Sequence, residues 1–385
     1  MKKAVFEDFD GYDHIIQEIE YSRKFGVDYT KERSMPERFI NRLHPPRLSL
    51  RLGDIIDETA SAKTFRLVPE EGDFPPFLAG QYISLSVEAG GILTSRPYSI
   101  SSPPNQAGFW DITVRRVESG LVSNYLLDHV KKGEIFQSSG PCGNFYHNPL
   151  FHDKNSVLIA GGAGVTPFMS MIREITECGL DRHVHLFFGN RTLDEAPFHH
   201  ELTSLSGRFQ NIQYIPVVED PSSDYQGETG FITGKLIQEK LGDLTDKTFY
   251  LCGPQGLYDF CIPELEGLNI PGRKIRKEVY GAPAKVSACP GWPQEIPETQ
   301  VFSIRVKGRE TISARAGEPV IKSLEKAGLT LKALCRSGEC SMCRVRVVSG
   351  RVFQPKGVPV RKSDTQFGYV HACVSYPLED LEIDI

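Results

Sequence analysis

No stretch of this chain approaches the roughly 18 consecutive apolar residues that a membrane-spanning helix needs, so membrane insertion is not expected. The start of the chain also lacks the apolar core of a secretory signal: MKKAVFEDFDGYDH follows two lysines with acidic and aromatic residues. A cytoplasmic protein is therefore expected. A basic excess is missing too. The formal net charge is -5, whereas a nucleic-acid binder concentrates Lys and Arg on one surface, so no nucleic-acid partner is expected. Neither an internal repeat nor a low-complexity tract is present, which sets aside repeat architectures and disordered arrays.

What is present suits several globular units. The 385 residues are 40% apolar and 24% charged, enough to bury sizeable cores in about two to four domains. Residues 1–47 are a charged extension in which Ile15, Ile16 and Ile19, and further on Phe39, Ile40 and Leu43, have helical spacing. Its simplest reading is a packing arm; a partner-docking arm is the sharper one. Residues 48–150 show short alternating runs such as Gln81–Val87 and Trp110–Val117, broken by Gly and Pro, with one helix signal at Ser123–Val130. That texture predicts an antiparallel β-barrel. In residues 151–281, apolar strands (Val157–Ala160, His183–Phe188, Ile212–Val218, Thr248–Leu251 and Lys274–Val279) alternate with helical segments, as in an α/β parallel sheet covered on both faces. A Pro/Gly-rich linker, 282–298, leads to a compact unit at 299–385.

The most specific chemistry lies in that last unit. Cys335, Cys340 and Cys343 give C-x4-C-x2-C, and Cys373 follows thirty positions on. This is plant-type [2Fe–2S] spacing, with three thiolates wrapped by one loop and the fourth brought from a distant strand. Gly338 supplies a loop position open to backbone conformations that other residues resist. A zinc site would pair its cysteines twice, and here the second half holds one, with His371 nearby.

Two further constellations point to nucleotides. Arg96-Pro97-Tyr98-Ser99 ends a barrel strand: an arginine can pair with a phosphate, a tyrosine face can stack on a ring, and a serine hydroxyl can hydrogen-bond beside it. Gly120-Leu121-Val122-Ser123 opens the helix of the same domain, where free amides and a hydroxyl suit a diphosphate. In the following domain Val157–Ala160 runs into Gly161-Gly162-Ala163-Gly164-Val165-Thr166-Pro167, a strand–glycine–helix turn without the full dinucleotide fingerprint. Cys252-Gly253-Pro254 follows another strand at the same sheet edge, where such sheets bind ligands.

In this order the motifs resemble the ferredoxin–NADP reductase superfamily over about residues 48–281. The appended cysteine unit resembles plant-type ferredoxin domains, which have a β-grasp-like α+β fold. The specific likeness is to oxygenase reductase components of the phenylacetyl-CoA and phthalate types. One departure is Ser341, where many ferredoxin domains have Gly after the second cysteine. The resemblance implies that Arg96, Pro97, Tyr98 and Ser99 hold a flavin, with Gly120, Leu121, Val122 and Ser123 at its diphosphate. It implies that Gly162, Gly164, Thr166 and Pro167 bind the nicotinamide nucleotide, and that Cys252, Gly253 and Pro254 line the nicotinamide pocket. It also places Ser99, Cys252, Glu278 and Tyr280 at the catalytic centre, and the metal on Cys335, Cys340, Cys343 and Cys373. FAD is favoured over FMN. Arg191, after the second strand of the nucleotide domain, is a candidate partner for a 2′-phosphate, and the choice of NADH or NADPH stays open.

The implied function is an NAD(P)H-dependent oxidoreductase that passes electrons from NAD(P)H to flavin, to [2Fe–2S], and on to a partner protein. A terminal oxygenase or hydroxylase is the expected acceptor. The alternatives are an anaerobic or nitrosative-stress acceptor of the hybrid-cluster type, or a regulatory electron-transfer subunit with little turnover of its own. A division of labour explains the cofactor order: hydride brings two electrons together, a cluster accepts one, and a flavin handles both.

Overall fold

The computed structural model of the chain describes residues 11–24, 47–283 and 285–385. It divides into two units, Met1–Pro46 and Arg47–Ile385. Within the first, helix α1 (Tyr12–Lys24) has Asp13 in its first turn and Arg23 and Lys24 in its last, charges that complement the helix dipole. Phe39, Ile40 and Leu43 lie outside the described residues.

The second unit opens with an antiparallel six-stranded sheet curled into the barrel. Its strands are β1 (Leu48–Thr59), β2 (Ala62–Pro69), β3 (Tyr82–Ala89), β4 (Ile92–Ser99), β5 (Trp110–Arg115) and β6 (Ile135–Ser138), in the order β4-β3-β6-β1-β2-β5. Alternation puts Leu50, Leu52, Phe65, Leu67, Ile83 and Leu85 inside, around a fully buried Trp110 on which Phe74 stacks at 4.0 Å. Helix α2 (Leu121–Asp128) buries Val122, Leu126 and Leu127 against this core. It begins two residues before the expected Ser123, because Gly120 takes the extended cap position and the helix starts directly after it.

Next comes a parallel sheet of β7 (Asn155–Gly161), β8 (His183–Asn190), β9 (Ile212–Val218), β10 (Glu228–Thr229), β11 (Lys247–Cys252) and β12 (Ile275–Glu278), in the order β10-β9-β8-β7-β11-β12. Its near-continuous apolar strands reflect burial on both faces. Leu158, Ala160, Leu186 and Phe188 meet α3 (Thr166–Cys178) and α4 (His199–Arg208). Val157, Ile159, Phe187 and Leu251 meet α5 (Gly234–Leu241) and α6 (Gln255–Gly267) on the other face. The seam with the barrel is both apolar and polar: Phe145 packs against Phe168 and Tyr250, Ser170 Oγ donates to Ser102 O at 2.7 Å and Arg173 Nη1 to Ser101 O at 2.8 Å.

The third part is a mixed five-stranded sheet of β13 (Val301–Val306), β14 (Thr311–Arg315), β15 (Arg344–Ser349), β17 (Tyr369–His371) and β19 (Leu381–Asp384), ordered β14-β13-β19-β15-β17. Helix α7 (Val320–Lys326) packs on it, β16 (Val352–Phe353) pairs with β18 (Tyr376–Pro377), and a short α8 (Lys362–Gln366) precedes β17. The described residues of segment 282–298, read as a Pro/Gly-rich linker, carry packed side chains. Val286 and Trp292 are buried with Phe353 and Tyr376, and Trp292 Nε1 donates to Ile296 O at 3.0 Å.

Candidate functional site

All three parts of the second unit line one cleft of about 1230 Å³. This exceeds the roughly 300–1,000 Å³ usual for one small ligand and suits two ligands laid side by side. From the barrel come Arg96, Pro97, Tyr98, Ser99 and Gly120 to Ser123. From the parallel sheet come Gly162, Gly164, Thr166, Arg191, Gly253, Pro254 and Tyr280, and from the third part Glu325, Arg336 and Cys373.

Strand β4 delivers Arg96, Tyr98 and Ser99 to the cleft wall. Arg96 Nη1 donates to Thr94 Oγ1 at 2.6 Å and to Ser95 O at 2.7 Å, so its guanidinium is held in place with further N–H groups to offer. At the start of α2 the first-turn amides have no partner within the helix, and an anion is a natural one. Space there is close: a methyl on Gly120 would come within 2.4 Å of Ser123 Oγ.

The glycines after β7 do two different things. Gly162 has φ +52, and a methyl on it would strike Arg115 Nη1 at 2.3 Å, so it forms the cleft surface. Gly164 also lines the cleft, but a methyl on it would lie 2.0 Å from Cys252 O. Its glycine is thus required by the approach of the backbone after β11, a packing need that the ligand reading alone does not supply. Thr166 Oγ1 donates to Ala163 O at 2.6 Å and closes the turn. Pro167 stands in the first turn of α3, buried and behind the cleft wall.

The four expected catalytic side chains converge across the seam between barrel and sheet. Tyr280 OH donates to Glu278 Oε2 and meets Ser99 Oγ, which therefore donates to the phenol oxygen. Cys252 is fully buried, with its thiol against the Tyr280 hydroxyl. The Glu278 backbone carbonyl accepts from Tyr258 OH, and that phenol accepts from Gly253 N at 3.0 Å. Burial raises the Glu278 carboxyl to about 8; the Tyr280 hydrogen bond opposes this and the nearby Glu339 charge adds to it. Near neutral pH the line Ser99–Tyr280–Glu278 ends in a protonated carboxyl, an arrangement able to hold or move one proton.

The four cysteines gather in one place. Cys335 and Cys340 have their sulfurs 3.3 Å apart, and the Cys373 thiol lies against both Cys335 and Cys343, so all four sulfurs face one another. All four are free of disulfides. A two-iron cluster takes four thiolates converging on one point, and this gathering fits it. Among the described residues no three His, Cys, Asp or Glu side chains form the ligand set of a single metal ion. The loop is wound through left-handed positions at Arg336 (φ 57), Gly338 (φ 85) and Ser341 (φ 58). His371 is fully buried and its Nδ1 shares a hydrogen with Gly338 O at 2.6 Å, so it braces the loop from behind.

Several lining residues went unread in the sequence. Arg115 bridges the seam to Glu195 at 3.0 Å. The rings of Phe231 and Phe260 lie 5.3 Å apart in the cleft wall, and both are partly exposed. Arg336 reaches from the cluster loop to barrel strand β4, where Nη2 donates to Thr94 Oγ1 at 3.1 Å. Ser84 and Ser95 both donate to Ala333 O at 3.0 Å. These are contacts between segments distant in the chain, which no local pattern marks.

Family models match in the same order: an oxidoreductase FAD-binding domain at residues 50–147, an oxidoreductase NAD-binding domain at 158–262 and a 2Fe-2S iron-sulfur cluster binding domain at 304–378. The NADH oxidoreductase HCR of Escherichia coli is 30% identical, over 85% of this chain and 94% of that protein. The glycine betaine monooxygenase reductase subunit of Pseudomonas aeruginosa is 27% identical, over 86% and 93%. Among solved structures, phthalate dioxygenase reductase aligns with a TM-score of 0.67 and 22% identity, covering 88% of this chain and 98% of that one, which shows a shared fold.

Proposed function

The chain belongs to the ferredoxin–NADP reductase superfamily, in the group with a C-terminal 2Fe-2S domain, and from that premise we propose how its residues divide the work. The protein is an NAD(P)H-dependent reductase that passes electrons through FAD to a [2Fe–2S] cluster. When bound, the flavin takes a hydride and gives up electrons singly, and the cluster accepts them one at a time. The observation that carries the assignment of residues is the single cleft running from Gly162 and Pro254, past Tyr98 and Ser99, to Cys373.

In this reading Arg96 and the first-turn amides of α2 hold the flavin phosphates, while Tyr98 and Ser99 position the ring. Gly162 and Thr166 receive the nicotinamide nucleotide, and the glycine turn at Gly253-Pro254 leaves room for its reactive end. Ser99, Tyr280 and Glu278 hold the proton that remains when a hydride donor is drained as single electrons. Cys252 packs beneath Tyr280 and fixes its hydroxyl. Cys335, Cys340, Cys343 and Cys373 hold the irons.

The acceptor is proposed to be a terminal oxygenase, because relatives aligned over most of the chain are reductase subunits of monooxygenases. An acceptor of another kind is the second reading, supported by the 30% identical NADH oxidoreductase HCR. No helix among the described residues is long and apolar enough to cross a membrane. With nine free cysteines we assign the protein to the reducing cytoplasm.

An anaerobic visible spectrum titrated with NADH and then NADPH, with the released flavin identified, tests the assignment. Bleaching of flavin and cluster bands together by one nucleotide is the expected result. Loss of the cluster bands in Cys335→Ser, with flavin bleaching kept, separates the two centres. Failure of a fully loaded protein to reduce artificial acceptors would instead favour a regulatory subunit.

A further inference from the structure

Charge is distributed unevenly along this chain. Residues 299–385 hold fourteen Lys or Arg against nine Asp or Glu, whereas the rest of the chain holds thirty against forty. The excess is concentrated further. Residues 332–362, which contain the cluster loop, carry eight basic side chains and one acidic, Glu339.

Three of those eight are spoken for: Arg336 pairs with Glu325, Arg344 with Asp364 and Arg351 with Glu379. Lys332, Arg346, Lys356, Arg361 and Lys362 are exposed, with no ion pair among the described residues. They fall on the segments that carry or flank the cluster loop. Lys332 stands three residues before Cys335, and Arg346 three after Cys343. Across the β15–β17 pair Arg346 faces Tyr369, and the Arg344 guanidinium lies 4.9 Å from the same ring while bonding Asp364 of α8 at 2.8 Å. Helix α8 opens at Lys362, next to Arg361. The loop bearing Lys356 is pressed on the cluster loop: a methyl on Gly338 would lie 3.0 Å from Val358. Along the same segments two apolar side chains stand out in solvent, Met342 in the cluster loop at 46% and Phe367 just after α8 at 62% exposure. Met342 lies between two of the four cysteines.

We propose that this face docks an electron-accepting protein through an acidic surface surrounding its own redox centre. The proposal rests on the reading of the cluster as the electron outlet. The basic excess on the segments around the cluster loop steers an acidic partner to this part of the chain, while the acidic remainder of the chain repels it from other approaches. Met342, adaptable and next to the cluster ligands, and Phe367, aromatic and beside Lys362, supply the exposed apolar contacts that a transient interface needs. In the transfer each cluster electron reduces one acceptor centre, so one NADH serves two.

The test uses the loaded full-length protein and one acceptor in two charge states, native cytochrome c (basic) and succinylated cytochrome c (acidic). At low ionic strength the succinylated form is expected to be reduced at least about tenfold faster than the native one, with the gap closing toward about 0.5 M salt. The triple variant Arg346→Glu, Arg361→Glu, Lys362→Glu should reverse that preference while NADH bleaches its flavin and cluster bands at the unaltered rate. Equal rates for the two cytochromes, a preference for the native one, or indifference to the triple variant would overturn the proposal. Salt-sensitive retention on double-stranded DNA that the variant loses would reassign the face to a nucleic acid and also overturn it. If NADH fails to bleach the cluster, the relay reading is at fault, and protein reduced with dithionite still decides the docking question.

Discussion

Arg336, in the cluster loop, and Glu325, on helix α7, form a two-point ion pair with only 8% and 3% of their side chains exposed. The same guanidinium donates to Thr94 and Ser95 of the flavin barrel, at 3.1 and 3.3 Å. A charge pair this deep is costly to desolvate and is retained where geometry matters. Here it ties the cluster loop to the strand that ends in Tyr98 and Ser99, so the ferredoxin part is seated on the barrel.

Removing one partner leaves the other charge buried and unpaired. Arg336→Ala is therefore expected to destabilise the holoprotein by about 3–5 kcal/mol, and Glu325→Ala by a similar amount, with the double variant far less than additive. Denaturant unfolding followed by cluster absorbance checks this. In stopped flow, NADH should bleach the flavin at the normal rate and the cluster more slowly in Arg336→Lys, which keeps the charge and loses the fork. Equal cluster rates would show that seating does not limit internal transfer.

Glu278 provides a pH signature. Burial raises its carboxyl from 4.5 to about 8. A raised folded-state value means that its contribution to stability is full below the unfolded value and is lost as pH climbs through about 8. Glu278→Gln, which keeps the shape and cannot ionise, should gain melting temperature over the wild type at pH 9 and lose that advantage near pH 5. Turnover with an artificial acceptor should show an inflection near pH 8 in the wild type and none in the variant. An inflection that survives the substitution would remove Glu278 from the proton path.

Ser341 occupies a left-handed backbone position, φ 58. Left-handed geometry costs a side-chain-bearing residue about 1–2 kcal/mol, which gives a physical reason for the glycine common at this place in ferredoxin domains. Ser341→Gly should raise the holoprotein's melting temperature, and a shifted cluster potential would show that the hydroxyl also bonds a cluster sulfur. A lowered melting temperature with an unchanged potential would mean that the serine is held by contacts other than the backbone.

The sequence showed most where function depends on local spacing. The four cysteines were legible because three ligands share a nine-residue loop, and the parallel sheet because strands buried on both faces read as unbroken apolar runs. Gly164 was legible as a required glycine, but its pressing neighbour is Cys252 O, 88 positions away. Segment 282–298 reads as a linker from its Pro and Gly content, but that composition gives no sign that Trp292 and Val286 pack against Phe353 and Tyr376. The seating of the cluster loop by Ser84, Ser95 and Arg336 joins residues more than 230 apart, and no period or motif announces such a pairing.

The choice of nucleotide turns on Arg191. Its guanidinium lies 4.0 Å from Asp220 Oδ2, both side chains largely exposed, and Glu219 lines the cleft beside them. At the ends of β8 and β9 such a group would meet the adenosine ribose. A 2′-phosphate brings about two negative charges to two carboxylates, and the cation beside them, Arg191, is already shared with Asp220. NADH is therefore the expected donor. Asp220→Asn removes one repulsion and releases Arg191, so kcat/KM for NADPH should rise about three- to tenfold while that for NADH stays within about twofold. Adding Arg191→Ala should abolish the gain. If both nucleotides respond equally to Asp220→Asn, the pair lies outside the ribose site, and discrimination must come from elsewhere in the cleft.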